Sequence, residues 1–483
     1  MDQQYDGLRS FLATCEELGE VRVIKGADWD LEIGALTEAA SELIDEPPAL
    51  LFDEIKGYPK GFRVLSLSTG SRIRTALFLR LPLDMSRMEI VRTASRRIKD
   101  ATPIPPVVVP TGPVMQNVMR DGDVDMLKFP VLRSHPQDGG RYIGTGCTLL
   151  NRDPETGYVN MGTYRMQVHE PNLLGLWQSP GQQGRLIAER YWKMGKACPV
   201  VATFGGDPLI FTFSYIKFAW GDSELDRIGG MLGQPLEIIA GPLTGLPIPA
   251  HCEVAIEGEI PPPSEQTREE GPFGEWTGYY TGTRENSPPQ PVIRVKAVYY
   301  RNDPILLNMA PQWPGAPTHG VRFDSGILWG QLEAAGVPGI TGVYTYNPFM
   351  VVVAIKQLYA GHAQQAGMAV LGAAAAARNG RFVVVVDDDI DPSNMDEVIW
   401  AMTSRVDPAS DIHTVNNCWA SPLDPRMPPE LGANGPHVNA RAIFYAVRPW
   451  QWRDKFPIVN RFERSERDAV VKKFRDLLPF PPA

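Results

Sequence analysis

Two short segments combine charged side chains with turn-forming residues in a way that suits acid–base chemistry. The segment Glu270-Gly-Pro-Phe-Gly-Glu275 has two carboxylates around a Gly-Pro-x-Gly turn, which lets them converge where an extended strand would not. An acid held near another acid, or near an arginine, lets an enzyme separate a proton carrier from a group that orients charge. The competing interpretation is a solvated acidic loop, since Glu269 precedes the segment, and composition alone favours that interpretation.

A candidate cationic partner, Arg165, ends the segment Asn160-Met-Gly-Thr-Tyr-Arg165. The surrounding pattern predicts a hairpin whose strands cover Cys147–Asn151 and Tyr158–Val168. Asn160 and Arg165 have opposite parity, so they would face opposite sides of a regular strand. A β-bulge at Gly162 would bring them to one cavity; the alternative is that Arg165 is an edge residue of the sheet.

Oxygen-bearing side chains at Gln182, Gln183 and Glu224 form a weaker signal. Amide and carboxylate oxygens suit Mg²⁺ or Mn²⁺, but residues this far apart do not define a site by themselves. The acidic run Asp387–Asp389 is interpreted as a solvated strand-to-helix turn, with cation binding as the alternative. The histidines lack ligand spacing, and the sequence contains no GxGxxG, GxxxxGK[ST] or GxSxG motif.

The elements that must position these groups form several domains, because 483 residues are too many for a single core. We predict an α+β multidomain protein with an N-terminal α/β unit at residues 1–112. Many short strands over residues 113–320 indicate a barrel or sandwich. Alternating strands and helices over residues 321–455 indicate a second α/β domain, followed by a helical tail at residues 456–483.

Three local predictions concern single elements. Leu209–Phe213 is predicted as a strand. Ser393, in the pattern Ser-x-x-Asp, is predicted to cap a helix that runs to about Arg405. Arg464–Leu478 is predicted as a charged helix that docks on a neighbouring part of the protein.

Composition excludes several classes of function. Lys plus Arg number 47 against 56 Asp plus Glu, a net charge of −9 without a continuous basic run, which argues against nucleic-acid binding. The first residues lack the features of a signal peptide, and no apolar run is long enough to span a membrane. Five scattered cysteines without CxxC spacing predict reduced thiols and a cytoplasmic location.

With these segments in place, the sequence resembles the UbiD family of prenylated-FMN-dependent decarboxylases. Asn160–Arg165 followed by Glu270–Tyr280 looks like the family signature of one arginine and two acids. Further stretches that resemble the family are Val118–Phe129, Asp138–Gly144, Ala354–Ala363, Val385–Asp389 and Ile399–Thr403. The likeness extends from roughly residue 5 to residue 455.

The resemblance implies a fold and a set of site residues. The central domain would be a split β-barrel that binds prenylated FMN, and the C-terminal domain would serve oligomerisation. Arg165, Glu270 and Glu275 match the catalytic residues. The cofactor-binding positions would be Asn160, Gly162, Gln182 and Lys356, and Asn160, Gln183 and Glu224 would bind Mn²⁺ or Mg²⁺, with K⁺ alongside. Relatives commonly carry histidine where this chain has Gln183, which puts the metal site in question.

The implied reaction is reversible, non-oxidative decarboxylation of an aromatic, heteroaromatic or α,β-unsaturated carboxylic acid through a covalent substrate–cofactor adduct. Loss of CO₂ from such a carbon leaves an sp² carbanion that the π system cannot delocalise, so a cofactor must accept the electrons. Arg165 would bind the substrate carboxylate or fix the two acids. Glu275 would protonate the adduct, and Glu270 would tune the network.

The implied partners are a small carboxylic acid, CO₂ and a flavin prenyltransferase that supplies the cofactor, with a homodimer or homohexamer as the assembly. Two alternatives stay open: a carboxylase that works as a subunit of a larger complex, and a flavin-binding scaffold with weak catalysis. The aromatic residues Trp313, Phe323 and Trp329 are candidates to line a slot for a flat ring, or else belong to the core.

Overall fold

The computed structural model describes residues 7–216, 218–281, 289–315, 320–322, 324–347, 349–428, 431, 436–462, 464–474 and 477. Helices and sheets are mixed throughout, as predicted. In the described residues, no helix combines the length and apolar character that crossing a membrane requires.

The N-terminal unit is a small α/β layer whose elements are α1 (Leu8–Glu17), β1 (Val21–Lys25), α2 (Glu32–Leu43), β2 (Ala49–Asp53), β3 (Arg63–Ser66), α3 (Arg72–Phe78) and α4 (Arg87–Asp100). Its sheet has the order β1-β2-β3 and is completed by a strand from much later in the chain, β17 (Ile305–Asn308). Because β17 pairs in parallel with β3, the N-terminal unit packs directly on the end of the central domain.

The central domain is built around one ten-stranded sheet with the path β6-β9-β10-β16-β14-β11-β7-β8, with β5 and β15 also paired to β16. The elements before the first long helix are β4 (Val107–Val108), β5 (Asn117–Arg120), β6 (Arg141–Tyr142), β7 (Cys147–Arg152), β8 (Val159–Gly162), β9 (Met166–Glu170) and β10 (Leu173–Leu176). Those that follow are α5 (Gln183–Lys193), β11 (Cys198–Phe204), α6 (Pro208–Tyr215), α7 (Glu224–Leu232), β12 (Glu237–Ala240), β13 (Pro247–Pro249), β14 (Val254–Ile260), β15 (Thr267–Arg268) and β16 (Gln290–Tyr300). The sheet curls into a half-barrel, in agreement with the predicted split barrel.

The predicted hairpin is confirmed as β7 and β8, but the predicted bulge at Gly162 is wrong. The chain leaves β8 at Gly162 and starts β9 at Met166. In the sheet path β8 is the last strand, whereas β9 lies next to β6 at the other end, so residues 163–165 connect two distant parts of the sheet. Arg165 therefore lies in a connection between strands, where parity along a single strand does not apply.

The predicted strand Leu209–Phe213 is also wrong, because these residues belong to helix α6. Asp207 caps the helix by accepting a hydrogen bond from Leu209 N, and Pro208 occupies its first turn. Residues 208–214 are all buried, so the segment has no polar face that would have shown a helical period.

The C-terminal domain is a five-stranded sheet of order β18-β19-β20-β22-β21 with helices on both faces. Its elements are α8 (Asp324–Ala334), β18 (Ile340–Asn347), β19 (Met350–Ile355), α9 (His362–Gly372), β20 (Phe382–Asp387), α10 (Met395–Arg405), β21 (Ile412–Trp419) and β22 (Val438–Ala446). Alternate residues of β19 and β20 enter two separate cores, one on each face. Valine-rich strands buried on both sides are what a sheet covered by helices requires.

Two predictions at the ends of these elements need correction. Helix α10 is capped by Asn394, whose side chain accepts hydrogen bonds from Asp396 N and Glu397 N, and not by Ser393. The acidic run forms the predicted strand-to-helix turn, with Asp388 and Asp389 exposed, but it is not simply solvated: Asp387 and Asp389 each pair with both Arg405 and Arg448.

The predicted tail helix is present as α11 (Arg464–Phe474). The described part of the tail is exposed, with Ile458 97% and Phe462 80% accessible. The predicted docking on a neighbour stays a prediction.

Candidate active site

Arg165, Glu270 and Glu275 meet in one buried cluster. Arg165 Nε donates to Glu270 Oε1 at 2.8 Å and Arg165 Nη2 donates to Glu270 Oε2 at 2.7 Å, a bidentate pair. Arg165 Nη1 donates to Glu275 Oε1. Each of the three residues is less than one-tenth exposed, so the solvated acidic loop considered for this segment is not what the structure shows.

The guanidinium of Arg165 contacts two aromatic rings. Its Cζ lies 4.5 Å from the ring centre of Trp177 and 4.8 Å from that of Phe273. Trp177 follows β10, and Phe273 belongs to the same turn as the two acids. Cation–π contacts with two rings restrict the orientation of the guanidinium, and its N–H groups remain available to bind the carboxylates.

The charge balance of this cluster favours different roles for the two acids. One guanidinium cannot neutralise two carboxylates, and Glu270 already occupies two of its three nitrogens. Glu275 is bound by a single nitrogen. Glu275 is therefore the acid with more freedom to carry a proton, and Glu270 is the acid that fixes Arg165.

A second cluster collects oxygen atoms around the hydroxyl of Tyr158. Gln183 Oε1 lies 3.0 Å from Tyr158 Oη, and Glu224 Oε2 lies 3.3 Å from it. Gln183 Nε2 donates to the carbonyl of Phe218 at 3.0 Å, which turns the amide oxygen towards Tyr158. A phenol has one proton to donate, so it cannot fully satisfy both acceptors at once.

Glu224 is a buried carboxyl at the first position of α7. Burial raises its pKa to about 7, although the amide of Met161 and the hydroxyl of Tyr158 donate to it. A carboxyl this costly to ionise, beside an amide oxygen that shares its donor, gains from a bound cation. The oxygens of Gln183 and Glu224 thus fit Mg²⁺ or Mn²⁺ chemically.

Asn160 and Gly162 lie on β8 beside this second cluster. Asn160 Nδ2 donates to Asn151 Oδ1 at 3.3 Å, and the next residue, Met161, contacts Glu224 through its amide. A Cβ at Gly162 would lie 2.6 Å from the hydroxyl of Tyr164, so a glycine is required for this ring to pack here.

Gln182 and Lys356 are placed differently. Gln182 is the N-cap residue of α5, directly before Gln183, and is half-buried. Lys356 follows β19 in the C-terminal domain and is exposed. No hydrogen bond or ion pair among the described residues joins the Lys356 side chain to either cluster.

Two consecutive buried residues, Trp177 and Gln178, carry polar atoms without a partner among the described residues. Both amide atoms of Gln178 and the indole Nε1 of Trp177 have no hydrogen-bond partner among the described residues, and Gln178 is only 2% exposed. Buried polar groups are normally satisfied. A bound heterocycle with its own donors and acceptors, such as a flavin, would satisfy them, so the residues present fit such a group.

Sequence reasoning missed several residues that shape these clusters. Tyr158, Trp177 and Gln178 had no assigned role, because an aromatic or amide residue in a strand pattern has no special spacing. Tyr142 was also missed; burial and the charge of Glu270 raise the pKa of its phenol, so it stays protonated beside the acids. Asp138, noted only within a stretch of family likeness, contacts the acid-bearing turn directly.

Comparisons with known proteins identify the family of the chain. Three family models match consecutive parts of the chain: the N-terminal domain of 3-octaprenyl-4-hydroxybenzoate carboxy-lyase at residues 12–98, its Rift-related domain at 107–314 and its C-terminal domain at 325–446. A phenolic acid decarboxylase from Streptomyces sp. (strain D7) is 33% identical over 458 residues, covering 92% of each chain.

Two further relatives extend the comparison. Pyrrole-2-carboxylic acid decarboxylase from Pseudomonas aeruginosa is 29% identical over 451 residues, covering 88% of this chain and 87% of that protein. An evolved dimeric form of the UbiD-class enzyme HmfF from Pelotomaculum thermopropionicum, solved in complex with prFMN, superposes with a TM-score of 0.80. It is 26% identical, with 98% of this chain and all of that chain covered. Since the three family models together span most of its length, the chain belongs to the UbiD family of carboxy-lyases.

Proposed function

We propose that this protein is a prenylated-FMN-dependent decarboxylase of an aromatic or heteroaromatic carboxylic acid. The observation that carries the proposal is the buried Arg165–Glu270–Glu275 cluster, with a bidentate pair on one acid and a single contact to the other. The named activities of two relatives, on phenolic acids and on pyrrole-2-carboxylic acid, support this substrate class.

Prenylated FMN supplies the electron sink that loss of CO₂ from an sp² carbon requires. The oxygens of Gln183, Glu224 and Asn160 would hold its phosphate through Mn²⁺ or Mg²⁺, with K⁺ nearby. Gly162 and Gln182 flank the same region, and Lys356 would reach it from the C-terminal domain. The complex of a UbiD-class relative with prFMN supports the cofactor.

The chain's own residues bind the substrate acid, orient its carboxylate and deliver the proton. Glu270 and the rings of Trp177 and Phe273 fix the guanidinium of Arg165. Arg165 orients the Glu275 carboxyl and, through the edge it shares with Glu275, the carboxylate of an incoming acid. Glu275 delivers a proton to the carbon that CO₂ leaves. Burial keeps bulk water away, so the proton comes from a positioned acid.

Three aromatic residues are candidates to line the substrate slot. Trp313 is half-exposed and follows β17. Trp329 is buried in the core of the C-terminal domain, and Phe323 lies outside the described residues. We propose that a mono- or bicyclic ring acid binds near Trp313, in preference to an acrylic acid.

The test is co-expression with a flavin prenyltransferase. Protein so prepared is expected to absorb in the near-ultraviolet and visible and to release CO₂ from pyrrole-2-carboxylic acid or a phenolic acid, whereas protein made without the prenyltransferase is expected to be nearly inactive. Full activity in flavin-free protein would overturn the proposal. Loaded protein that releases no CO₂ from a panel of carboxylic acids would favour the scaffold alternative.

Assembly and location complete the proposal. We propose a homodimer or homohexamer formed through the C-terminal domain, and a cytoplasmic location in keeping with five free cysteines. The carboxylase direction, as a subunit of a larger complex, uses the same residues by microscopic reversibility and is distinguished by assay under high CO₂.

A further inference from the structure

Asp138 holds the residue that directly precedes Glu275. Its Oδ1 accepts a hydrogen bond from Gly274 N at 2.9 Å, and its Oδ2 accepts one from His135 N at 3.0 Å. The Asp138 side chain has no exposed surface. The bond from Gly274 N is buried and the bond from His135 N is partly buried, so losing the Asp138 acceptor would leave a buried N–H of the turn unpaired.

The turn itself needs such external contacts. The residues from Glu270 to Glu275 form neither helix nor strand, so no ladder of backbone hydrogen bonds fixes them. Gly139 N donates to the carbonyl of Pro272 at 2.7 Å. A Cβ at Gly139 would lie 2.0 Å from the carbonyl oxygen of Gly271, so backbone packs on backbone without space between.

The imidazole of His135 lies next to Asp138 and Gly274. Its Nδ1 is 3.4 Å from Asp138 Oδ2, within ion-pair distance, but has no hydrogen-bond partner among the described residues, and a Cβ at Gly274 would lie 2.9 Å from the same nitrogen. Burial lowers the pKa of His135, but its interaction with the Asp138 carboxylate, helped by the Pro311 carbonyl, outweighs burial and raises the pKa overall. The ring thus joins the acid-bearing turn to the segment that follows β17.

We propose that Asp138 is a positioning residue that sets the direction of the Glu275 carboxyl by fixing Gly274, and that His135 holds Asp138 in the geometry this requires. The reaction step affected rests on the proposed function; the anchoring of the turn does not. A proton donor must lie within hydrogen-bond reach of the carbon it protonates, and a small displacement is costly.

The first experiment compares Asp138→Asn with wild type and with Glu257→Gln, a matched control. Glu257 is a fully buried carboxylate that likewise accepts backbone N–H groups from a loop, those of Leu243 and Thr244, and it contacts neither cluster. In Asp138→Asn, one of the two carboxylate oxygens is replaced by an amide N–H₂, which is a donor. The side chain then has only one oxygen, so it cannot accept from both Gly274 N and His135 N in the present geometry.

Hydrogen–deuterium exchange, read by mass spectrometry on peptides covering residues 270–276, reports the anchoring without any activity. We expect exchange there to rise about tenfold in Asp138→Asn and to stay at the wild-type rate in Glu257→Gln. Unchanged exchange in Asp138→Asn overturns the proposal, whether or not the protein proves to be a decarboxylase.

Kinetics on cofactor-loaded protein test the direction of Glu275. With the acid that wild type decarboxylates, we expect kcat of Asp138→Asn to fall by roughly 10- to 10²-fold. This is the loss that a small displacement of a catalytic group causes. KM and flavin content per chain are expected to stay within about twofold. A kcat equal to that of wild type, or a loss that follows lost flavin, assigns Asp138 a purely structural role and overturns the proposal.

Conservative replacement tests His135. In His135→Asn, the side-chain nitrogen can occupy the place of Nδ1 and donate to Asp138, whereas His135→Leu offers no donor. We expect His135→Asn to retain markedly more of the wild-type kcat than His135→Leu. Equal losses in the two variants would remove His135 from the proposal.

Discussion

Arg165 binds Glu270 through two nitrogens and two oxygens, at 2.8 and 2.7 Å, and this pairing leaves only Nη1 for Glu275. This asymmetry supports our proposal that Glu270 orients Arg165 and that Glu275 is the proton donor. Both acids come from one turn of six residues, so the difference arises from geometry around a shared cation and not from distance along the chain.

The first prediction is that Glu275→Gln retains the fold and the cofactor but loses catalysis. The amide can still accept from Arg165, but it has no proton to deliver, and loss of a positioned acid lowers the rate on the order of 10²-fold or more. The measurement is kcat, together with exchange of solvent deuterium into the product without added CO₂. Exchange at the wild-type rate in Glu275→Gln would assign the proton to another residue.

A second prediction separates Glu270 from Glu275. In Glu270→Gln, Arg165 loses its bidentate anion and is free to pair fully with Glu275, so the donor is both displaced and held as an anion. We expect kcat to fall and the remaining activity to shift to lower pH, where Glu275 regains a proton. Glu257→Gln serves again as the buried-carboxylate control, and an unshifted pH profile in Glu270→Gln contradicts the assignment.

The separation of the site into two clusters could be predicted only in part from the sequence. The Gly-Pro-x-Gly turn indicated that Glu270 and Glu275 converge, and the arginine was a natural partner. The parity argument for Asn160 and Arg165 failed because it assumed one continuous strand. The chain instead leaves one strand at Gly162 and begins another at Met166. This change of strand depends on how the whole sheet curls, a long-range property that local alternation of residues does not encode.

Residues that act through shape or through backbone contacts were equally hidden. Asp138 binds a backbone N–H, and any short acid in a loop has the same local signature. Tyr158 brings Gln183 and Glu224 together from a strand position that resembles ordinary core packing. The helix α6 was missed because full burial removes the polar face on which helical periodicity depends.

The third prediction concerns Gln183, which we propose as a metal ligand at a position where the family resemblance implies histidine. Its amide oxygen already faces Tyr158, so a cation must compete with that hydrogen bond, and we expect weak retention in wild type. Gln183→His should retain more Mn²⁺ during dialysis, because imidazole nitrogen is a better ligand for a transition metal than a neutral amide. Glu224→Ala should release both cation and cofactor. Metal content per chain is the measurement, and the same content in Gln183→His, Gln183→Ala and wild type would show that residue 183 is not a ligand.

The fourth prediction concerns the ion pairs that Asp389 forms with Arg405 and Arg448 in the turn after β20. Asp389 is partly buried, yet its hydrogen bonds and charge interactions with Arg405 and Arg448 lower its pKa. A carboxyl with a lowered pKa stabilises the folded state at pH values above its unfolded pKa, near 4, and loses that contribution as pH falls through the folded pKa.

Asp389→Asn should therefore destabilise the protein by about 1–2 kcal/mol at pH 7, since water screens its exposed side. The thermal midpoint at pH 7 and at about pH 2 measures this, with the exposed neighbour Asp388→Asn as the control; a difference between variant and wild type that is as large at about pH 2 as at pH 7 contradicts the ion-pair account.

The fifth prediction concerns the tail, whose apolar side chains lie in water in a single chain. Ile458 and Phe462 precede α11, and Val470 and Phe474 lie on it, all with substantial exposed surface. Apolar groups exposed along one segment favour association, and each fully covered side chain of this size contributes about 1.5–3 kcal/mol. We therefore expect two variants, Ile458→Ser/Phe462→Ser and a chain ending at Phe456, to have a lower molar mass in solution than the wild type, as measured by light scattering. Their flavin content should stay unchanged, because both clusters lie in the central domain. The paired control is Leu43→Ser, an exposed apolar residue on α2 far from the tail in sequence, which should leave the mass as it is. An unchanged mass in both tail variants would show that the exposed tail does not hold the assembly together.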